Sequence, residues 1–357
     1  MQLGIIGLPA SGKTTLFNVI TESDLPVGEL IGGQRDSFET AIVDIPDSRL
    51  EQLSELLSPK KKTPAKMTLV DVGGLQGKAE GSELPGWLIN ELAPMDAFIH
   101  VVRGFENDSV PHIADSIDPA RDIAAMDAEF ILNDMALVER RLERLEEEHQ
   151  KVARDRTEIE RERAVLTRIL EALNQERALR LLSYSPEEEH LLSGFGFLSK
   201  KPLMIVLNCS EGCEEMEVDI SLEGAPTLFI QGSIEMEIGQ LSADEAQVFR
   251  SEYGIEEPGG ERILKACCEL LGRISFFTFN ENELRAWMIK EGSTALDAAA
   301  TIHTDIARGF IRAEIINWQE LIHLGGMSQA RSAGKLRVEG KKYQILDGEM
   351  IYVRFNI

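Results

Sequence analysis

The chain has 357 residues, 43% of them hydrophobic and 27% charged, and a formal net charge of −24. Length predicts two or three domains, and composition a globular chain with ample material for a core. No stretch is apolar for long enough to span a bilayer, and no basic region precedes the short apolar run at the N-terminus, so neither a membrane span nor a signal peptide is expected. Four cysteines are few for this length, and no histidine lies near either pair of them at zinc-finger spacing. They are expected as buried or free thiols of a reducing cytosol.

The acidic total opposes nucleic acid, but its distribution is uneven. Residues 1–138 hold 10 basic and 22 acidic side chains, and residues 178–272 hold 6 and 18. Residues 139–177 hold 10 and 11, and residues 273–357 hold 11 and 10. The excess therefore lies in two blocks. The insert between them and the C-terminal part are nearly neutral and leave room for a local basic patch.

In chain order, residues 3–6 form a short apolar run suited to a buried strand. Gly7-Leu8-Pro9-Ala10-Ser11-Gly12-Lys13-Thr14 follows and fits G-x-x-x-x-G-K-[ST], the phosphate-binding P-loop. Residues 15–20 continue as an amphipathic helix. A glycine-rich turn between strand and helix aims backbone N–H groups and the positive helix end at a phosphate chain. Lys13 would reach the β- and γ-phosphates, and the Thr14 hydroxyl would ligate Mg²⁺. The competing reading is a glycine turn beside a surface lysine.

Residues 27–38 read as a polar loop, 40–45 as a strand, 50–57 as a helix, and 58–65 as a basic linker punctuated by proline. Residues 67–72 form a second strand ending in Asp71-Val72-Gly73-Gly74. An acidic residue there would hold Mg²⁺ through water, and the Gly74 N–H would sense the γ-phosphate. Residues 97–102 predict a third buried strand, which contains His100. Spacing alone makes His100 a hydrogen-bonded core residue.

From residue 131 the period changes. Ile131, Met135, Val138, Leu142, Leu145, His149 and Val152 form a heptad seam. A second amphipathic run covers 159–182. Economy of connection favours a helical hairpin turning near 154–157 over one long helix. The seam could be internal or could pair with another chain; a monomer is the default. Residues 202–207 and 227–231 are further strands, ending in Asn208-Cys209-Ser210-Glu211 and Gly232-Ser233. Strands alternating with helices predict an α/β fold with a mainly parallel sheet and its ligand site at the carboxyl ends of the strands. A helix from 258 to about 271 precedes a distinct module. Strands at 276–279, 283–288, 336–338, 342–346 and 350–355, one main helix at 294–306 and a short one at 319–323 suggest a ubiquitin-like β-grasp domain.

With these motifs in place the chain resembles the YchF, or Obg-like ATPase, family of P-loop nucleotidases. The matching landmarks are the P-loop, Ile45-Pro46-Asp47-Ser48-Arg49-Leu50, Asp71-Val72-Gly73-Gly74-Leu75, residues 96–103, Phe105-Glu106-Asn107-Asp108 and Asn208-Cys209-Ser210-Glu211. The C-terminal run from Arg285-Ala286-Trp287 to Asp347-Gly348-Glu349 matches as well. The resemblance implies a G domain in two parts (1–125 and 183–272), an inserted helical coiled coil (126–182) and a C-terminal TGS domain (273–357). It implies nucleotide contacts from Pro9, Ala10, Ser11, Gly12, Lys13, Thr14, Thr15, Asn208, Glu211, Gly232 and Ser233, and Mg²⁺ held by Thr14 and Asp71. Lys13 and Gly74 would act on the phosphates. Leu75 stands where Ras-type enzymes place glutamine, and the resemblance gives water orientation to His100 instead.

Base choice has a physical handle. The aspartate of N-K-x-D accepts two hydrogen bonds from guanine; here the pattern is N-x-x-E, from Asn208 to Glu211, and in the family it accompanies ATP preference. The chain also departs from the family. Ala10 and Ser11 replace Asn and Val, which argues against potassium activation. The usual switch I segment is missing, with only residues 32–38 in its place, and Ser37 and Thr40 are poor substitutes for its threonine. The expected function is a slow ATPase switch acting with the ribosome or its RNA in the cytoplasm. Candidate contacts are Arg154, Arg156, Arg161 and Arg163 at the coiled-coil tip and Lys335, Lys341 and Lys342 in the TGS domain. A nucleotide-binding adaptor with little turnover and a GTPase of the same fold are the alternatives.

Overall fold

The computed structural model describes residues 1–23, 38–73, 84–107, 110–151, 155–210 and 224–356, without the side chains of residues 150, 151 and 243. In chain order the elements are β1 (Gln2–Ile6), α1 (Lys13–Thr21), β2 (Glu39–Asp44), α2 (Ser48–Leu57), β3 (Lys61–Thr63), β4 (Lys66–Asp71), α3 (Gly86–Leu92), β5 (Ala97–Gly104), α4 (Pro119–Lys151), α5 (Arg156–Asn174) and α6 (Pro186–Leu192). They continue as β6 (Leu203–Cys209), β7 (Thr227–Ile230), α7 (Gly232–Gly239), α8 (Ala243–Glu252), α9 (Gly259–Leu270), β8 (Arg273–Phe279), β9 (Glu283–Lys290), α10 (Ala295–Ile302), α11 (Thr304–Arg308), β10 (Phe310–Asn317), α12 (Trp318–Leu324), α13 (Met327–Ser332), β11 (Arg337–Glu339) and β12 (Glu349–Phe355). They form two compact units: Met1–Ala41 with Thr68–Gly260, and Ile42–Met67 with Glu261–Ile357. No helix among the described residues is long and apolar enough to cross a membrane.

The first sheet runs in the order β2-β4-β1-β5-β6-β7. Its pairs β1–β4, β1–β5, β5–β6 and β6–β7 are all parallel. The sequence explains this. β5 and β6 are near-continuous apolar runs, and all of β6 is buried, as strands covered on both faces must be. Phe98 of β5 meets Phe130 of α4 at 5.2 Å between ring centroids. Parallel strands connected through helices bring every strand's carboxyl end to one edge, which is where the glycine-rich motifs lie.

The inserted helices form a hairpin. Ile131, Val138 and Leu145 of α4 bury against Ile159, Leu166, Ile169 and Leu173 of α5, so the heptad seam pairs within the chain. Asp155 caps α5 by accepting from the Thr157 N–H, which fixes the restart of the helix close to where the turn is expected. Arg141 reaches across with its Nε 2.7 Å from Glu162 Oε1 and also bonds Glu148, setting the register of the two helices. At the root, Asp134 is fully buried and accepts from the N–H groups of Leu198 and Ser199 and from the Ser199 hydroxyl.

The second unit is a mixed sheet in the order β11-β10-β12-β8-β9-β3. α10 lays Ala295, Ala298 and Ala299 against Phe276, Ile289, Ala313 and Ile315. Four features depart from the sequence expectation. The helix expected over 294–306 breaks at His303, whose extended backbone and ring nitrogen cap α11. The strand expected over 342–346 is a single bridge, Thr294 to Gln344. β10 lies between β11 and β12 and is not among the expected strands, because the apolar pairs Phe310-Ile311 and Ile315-Ile316 blur its alternation. β3 lies within the expected linker and adds a parallel edge strand beside β9. Three residues are too few to show a period. Residues Ile42–Met67 fall in the compact unit that holds the C-terminal sheet. Arg49 of α2 secures this grouping by pairing with Asp347 and lying over the Phe277 ring.

Candidate functional site

The site begins at the carboxyl end of β1. Gly7 has φ +150°, and a Cβ there would meet the Val101 carbonyl oxygen at 2.3 Å, so only glycine allows the chain to turn. Gly12 is the N-cap of α1, at φ +98°, and brings no side chain to the helix end. The first-turn N–H groups of α1 thus have no side-chain cap, as an anion-binding loop requires. A Cβ on Gly12 would meet Asn208 Nδ2 at 2.1 Å. Ala10 adopts φ +63°, a left-handed conformation that costs an L-residue about 1 kcal/mol. The asparagine usual at that position in the resembling family accepts it more readily.

Lys13 folds back over the loop, and its ammonium donates to the carbonyls of Gly7 (3.0 Å) and Leu8 (2.9 Å). Burial pushes its pKa down to about 8 and the nearby Asp71 carboxylate partly offsets this. The Thr14 hydroxyl donates to Asp71 Oδ2 at 3.0 Å. Asp71 ends β4 and is 8% exposed. A hydroxyl and a carboxylate on adjacent elements, beside an uncapped helix N-terminus, are hard oxygen donors of the kind Mg²⁺ takes. The residues present therefore fit a magnesium–nucleotide complex.

Asn208 ends up as a strut. Its amide nitrogen donates to the Ser11 carbonyl at 3.1 Å, and its amide oxygen accepts from the Gly232 N–H at 3.2 Å. It joins the P-loop to the start of α7, where Ser233 follows. Both ends of this amide are engaged with the protein, so Asn208 ties the P-loop to the start of α7. Ser11, at 2% exposure, has a hydroxyl without a hydrogen-bond partner among the described residues. Thr15 is buried on α1, while Pro9 is partly exposed on the loop.

His100 lies inside the sheet, in register with Ile6 of β1 and Ile205 of β6, and is 1% exposed. Burial, with the charges of Lys13 and Arg180, depresses its pKa to about 3, so the ring is neutral. Its Nε2 has no hydrogen-bond partner among the described residues. The sequence did not single out His112, a second buried histidine. Its Nδ1 accepts from the Ala114 N–H at 3.1 Å and its Nε2 lies 2.9 Å from Asp122. The proton therefore sits on Nε2 and the ring is oriented by a carboxylate. His112 lies between two elements, where no periodicity marks it.

Gly74, Leu75, Glu211, Ser37 and Arg154 lie outside the described residues. Thr40 is exposed on β2. The thiol expectation needs correcting in part. Cys267 and Cys268 are free and buried, but Cys209 is in a disulfide whose partner lies outside the described residues.

Strand, P-loop and helix, with a lysine, a hydroxyl and a facing carboxylate, define a P-loop nucleoside triphosphatase. A family model described as "50S ribosome-binding GTPase" matches residues 2–138, and the YchF-GTPase_C model, described as a protein of unknown function (DUF933), matches residues 273–356. The chain is 36% identical to the "Ribosome-binding ATPase YchF" of Bacillus subtilis (strain 168), with all of both chains covered. It is also 36% identical to the protein of that name from Haemophilus ducreyi, across all of this chain and 99% of the relative. The solved structure of the Schizosaccharomyces pombe YchF GTPase superposes with a TM-score of 0.85 at 26% identity, covering 99% of this chain and 97% of that one. The chain belongs to the YchF family.

Proposed function

We propose that the protein is a slow, magnesium-dependent ATP hydrolase that works as a cytoplasmic regulatory switch on the ribosome. The observation that carries this is the Lys13–Thr14–Asp71 cluster beneath the uncapped start of α1, in a chain whose full-length relatives are called ribosome-binding ATPases. Residues 9–15 would wrap the phosphates, and Lys13 would leave the loop carbonyls for the β- and γ-phosphate oxygens. Mg²⁺ held by Thr14 and, through water, by Asp71 would neutralise charge on those oxygens. Gly74 would report the γ-phosphate. Asn208, Glu211, Gly232 and Ser233 would build the base pocket, with Asn208 as its strut. The ribosome would be met by the hairpin tip, near Arg156, Arg161 and Arg163, and by the C-terminal unit with Lys335, Lys341 and Lys342. The same fold admits GTP, and a shortened switch I admits an adaptor with little turnover.

Calorimetric titration with ATP and with GTP, each with Mg²⁺, tests the reading. A tenfold ATP preference is about 1.4 kcal/mol, within reach of one displaced hydrogen bond. Tighter GTP binding would return the chain to the ordinary GTPases, and no binding of either would leave the adaptor. Water orientation is assigned to His100, with His112 as competitor because a carboxylate orients its ring. Turnover of His100→Asn and His112→Asn, at unchanged nucleotide affinity, separates the two.

A further inference from the structure

Gln231 is the one residue between β7 and α7, at the carboxyl edge of the first sheet. Ile230, just before it, is in register with Asn208. Gln231 is the N-cap of α7, yet its side chain makes no capping hydrogen bond. Its Oε1 is buried and has no hydrogen-bond partner among the described residues. The contrast with Asn208 is informative. Asn208 spends both ends of its amide on the protein, at the Ser11 carbonyl and the Gly232 N–H. That leaves the Gly232 N–H engaged and not free to meet a base. A Cβ on Gly232 would come within 2.7 Å of Asn208 Oδ1 and 3.3 Å of Thr15 Cγ2, so the start of α7 is pressed against β6 and α1. The turn thus joins a glycine held against Asn208 to a carboxamide whose oxygen no protein donor uses.

A buried carbonyl oxygen without a donor is costly, and a ligand N–H removes that cost. The side chain of Gln231 is partly exposed, and its last torsion is broad, so a small rotation turns the amide outward. A carboxamide presents one acceptor beside one donor. Adenine presents the complement, the N6 amino group beside ring N7. On the same edge guanine presents two acceptors, O6 and N7, and a carboxamide satisfies only one of them. We infer that Gln231 is a base-selecting residue, whose Oε1 accepts from the adenine N6 amino group while its Nε2 donates to N7. The inference rests on the ATP reading proposed above and names the side chain that chooses the base.

The test uses the full-length chain with Mg²⁺ and calorimetric titration of ATP, GTP, purine riboside triphosphate and 7-deaza-ATP. The third lacks the 6-amino group and the fourth lacks N7. Each analogue should bind the parent about tenfold more weakly than ATP, a factor that one lost hydrogen bond supplies. Gln231→Met keeps the length of the side chain without the amide. It should bind ATP about tenfold or more weakly than the parent and no longer distinguish ATP from either analogue. Gln231→Glu keeps the acceptor without the donor, so it should still favour ATP over purine riboside triphosphate but not over 7-deaza-ATP. A purely structural role would weaken every nucleotide by one factor and leave the ratios intact. Unchanged ratios in Gln231→Met therefore overturn the inference while the ATP reading stands. Equal affinity of the parent for ATP and purine riboside triphosphate overturns it without any variant. A parent that prefers GTP, or that binds neither nucleotide, overturns both readings together.

Discussion

Lys13 is a partly buried cation that the proposed triphosphate would meet. Its pKa is about 8 in the folded protein against an ordinary value of 10.5. Between those values the unfolded chain binds the proton and the native one does not, so Lys13 makes stability rise with pH from about 8 to 10.5. A triphosphate favours the ammonium and opposes this. Nucleotide binding at pH 8.5 should therefore take up protons, and affinity should fall as pH rises through 8. Calorimetry in two buffers of different ionisation enthalpy reads the uptake, which Lys13→Arg should abolish. His100 works in the other pH range. With a folded pKa near 3 and an ordinary value of 6.5, it makes stability fall as pH drops from about 6.5 towards 3. The slope reaches about 1.4 kcal/mol per pH unit, and His100→Met should flatten it in urea unfolding between pH 6.5 and 4.5. An unchanged pH profile would show that the ring is hydrated in solution, which would help its claim to the water. A pKa near 3 makes His100 a poor general base near neutral pH, because a base works best with a pKa near the working pH.

At the scale of the element, the hairpin has a polar anchor beside its apolar seam. The seam of α4 and α5 holds the two helices to each other. Asp134 holds their root to the turn before β6, and the pairing of Arg180 with Asp127 ties α4 to the segment that follows α5. Asp134→Ala would leave two buried N–H groups and a hydroxyl without acceptors, at about 1–3 kcal/mol each before relaxation. The expected outcome is a fall of at least about 3 kcal/mol in unfolding free energy, with hydrogen exchange accelerated first at residues 198 and 199. Asp134→Asn keeps one acceptor oxygen and should cost less. A loss spread evenly over the chain would mean that the carboxylate anchors nothing locally.

For the whole molecule, the division of the chain changes how the partner question should be tested. α2 and β3 belong to the C-terminal unit, where Arg49 lies over Phe277 and Thr63 bonds Glu283. A chain ending at residue 272 would strip β3 of the strand it pairs with and leave Leu50 and Leu53 uncovered. We expect that truncation to bind a hydrophobic dye and to melt at a lower temperature than the full chain. Lost ribosome binding in it would then report misfolding, and point changes on the C-terminal unit are the cleaner probe. A truncation that melts like the parent would show that residues 42–67 stand without the sheet.

Local chemistry was readable without coordinates wherever one short segment carries it. The P-loop was legible because Gly7, Gly12, Lys13 and Thr14 must sit at fixed spacing, and the hairpin because a heptad repeat needs a partner of the same period. β4, β5 and β6 were legible because strands buried on both faces are apolar throughout. Contacts across the chain were not legible. Nothing near Asn208 announces that its amide bridges Ser11 and Gly232, since both partners are backbone groups available anywhere. β10 was hidden because the apolar pairs Phe310-Ile311 and Ile315-Ile316 flank the alternating Arg312-Ala313-Glu314 and blur its period. β3 was hidden because a three-residue edge strand is defined by its neighbour β9 and not by its own composition. The order of residues thus decides which segments can cradle a phosphate or bury a stripe, since those properties are local. Tertiary packing alone decides which segments share a sheet, because backbone hydrogen bonds are the same for every residue and take their specificity from what surrounds them.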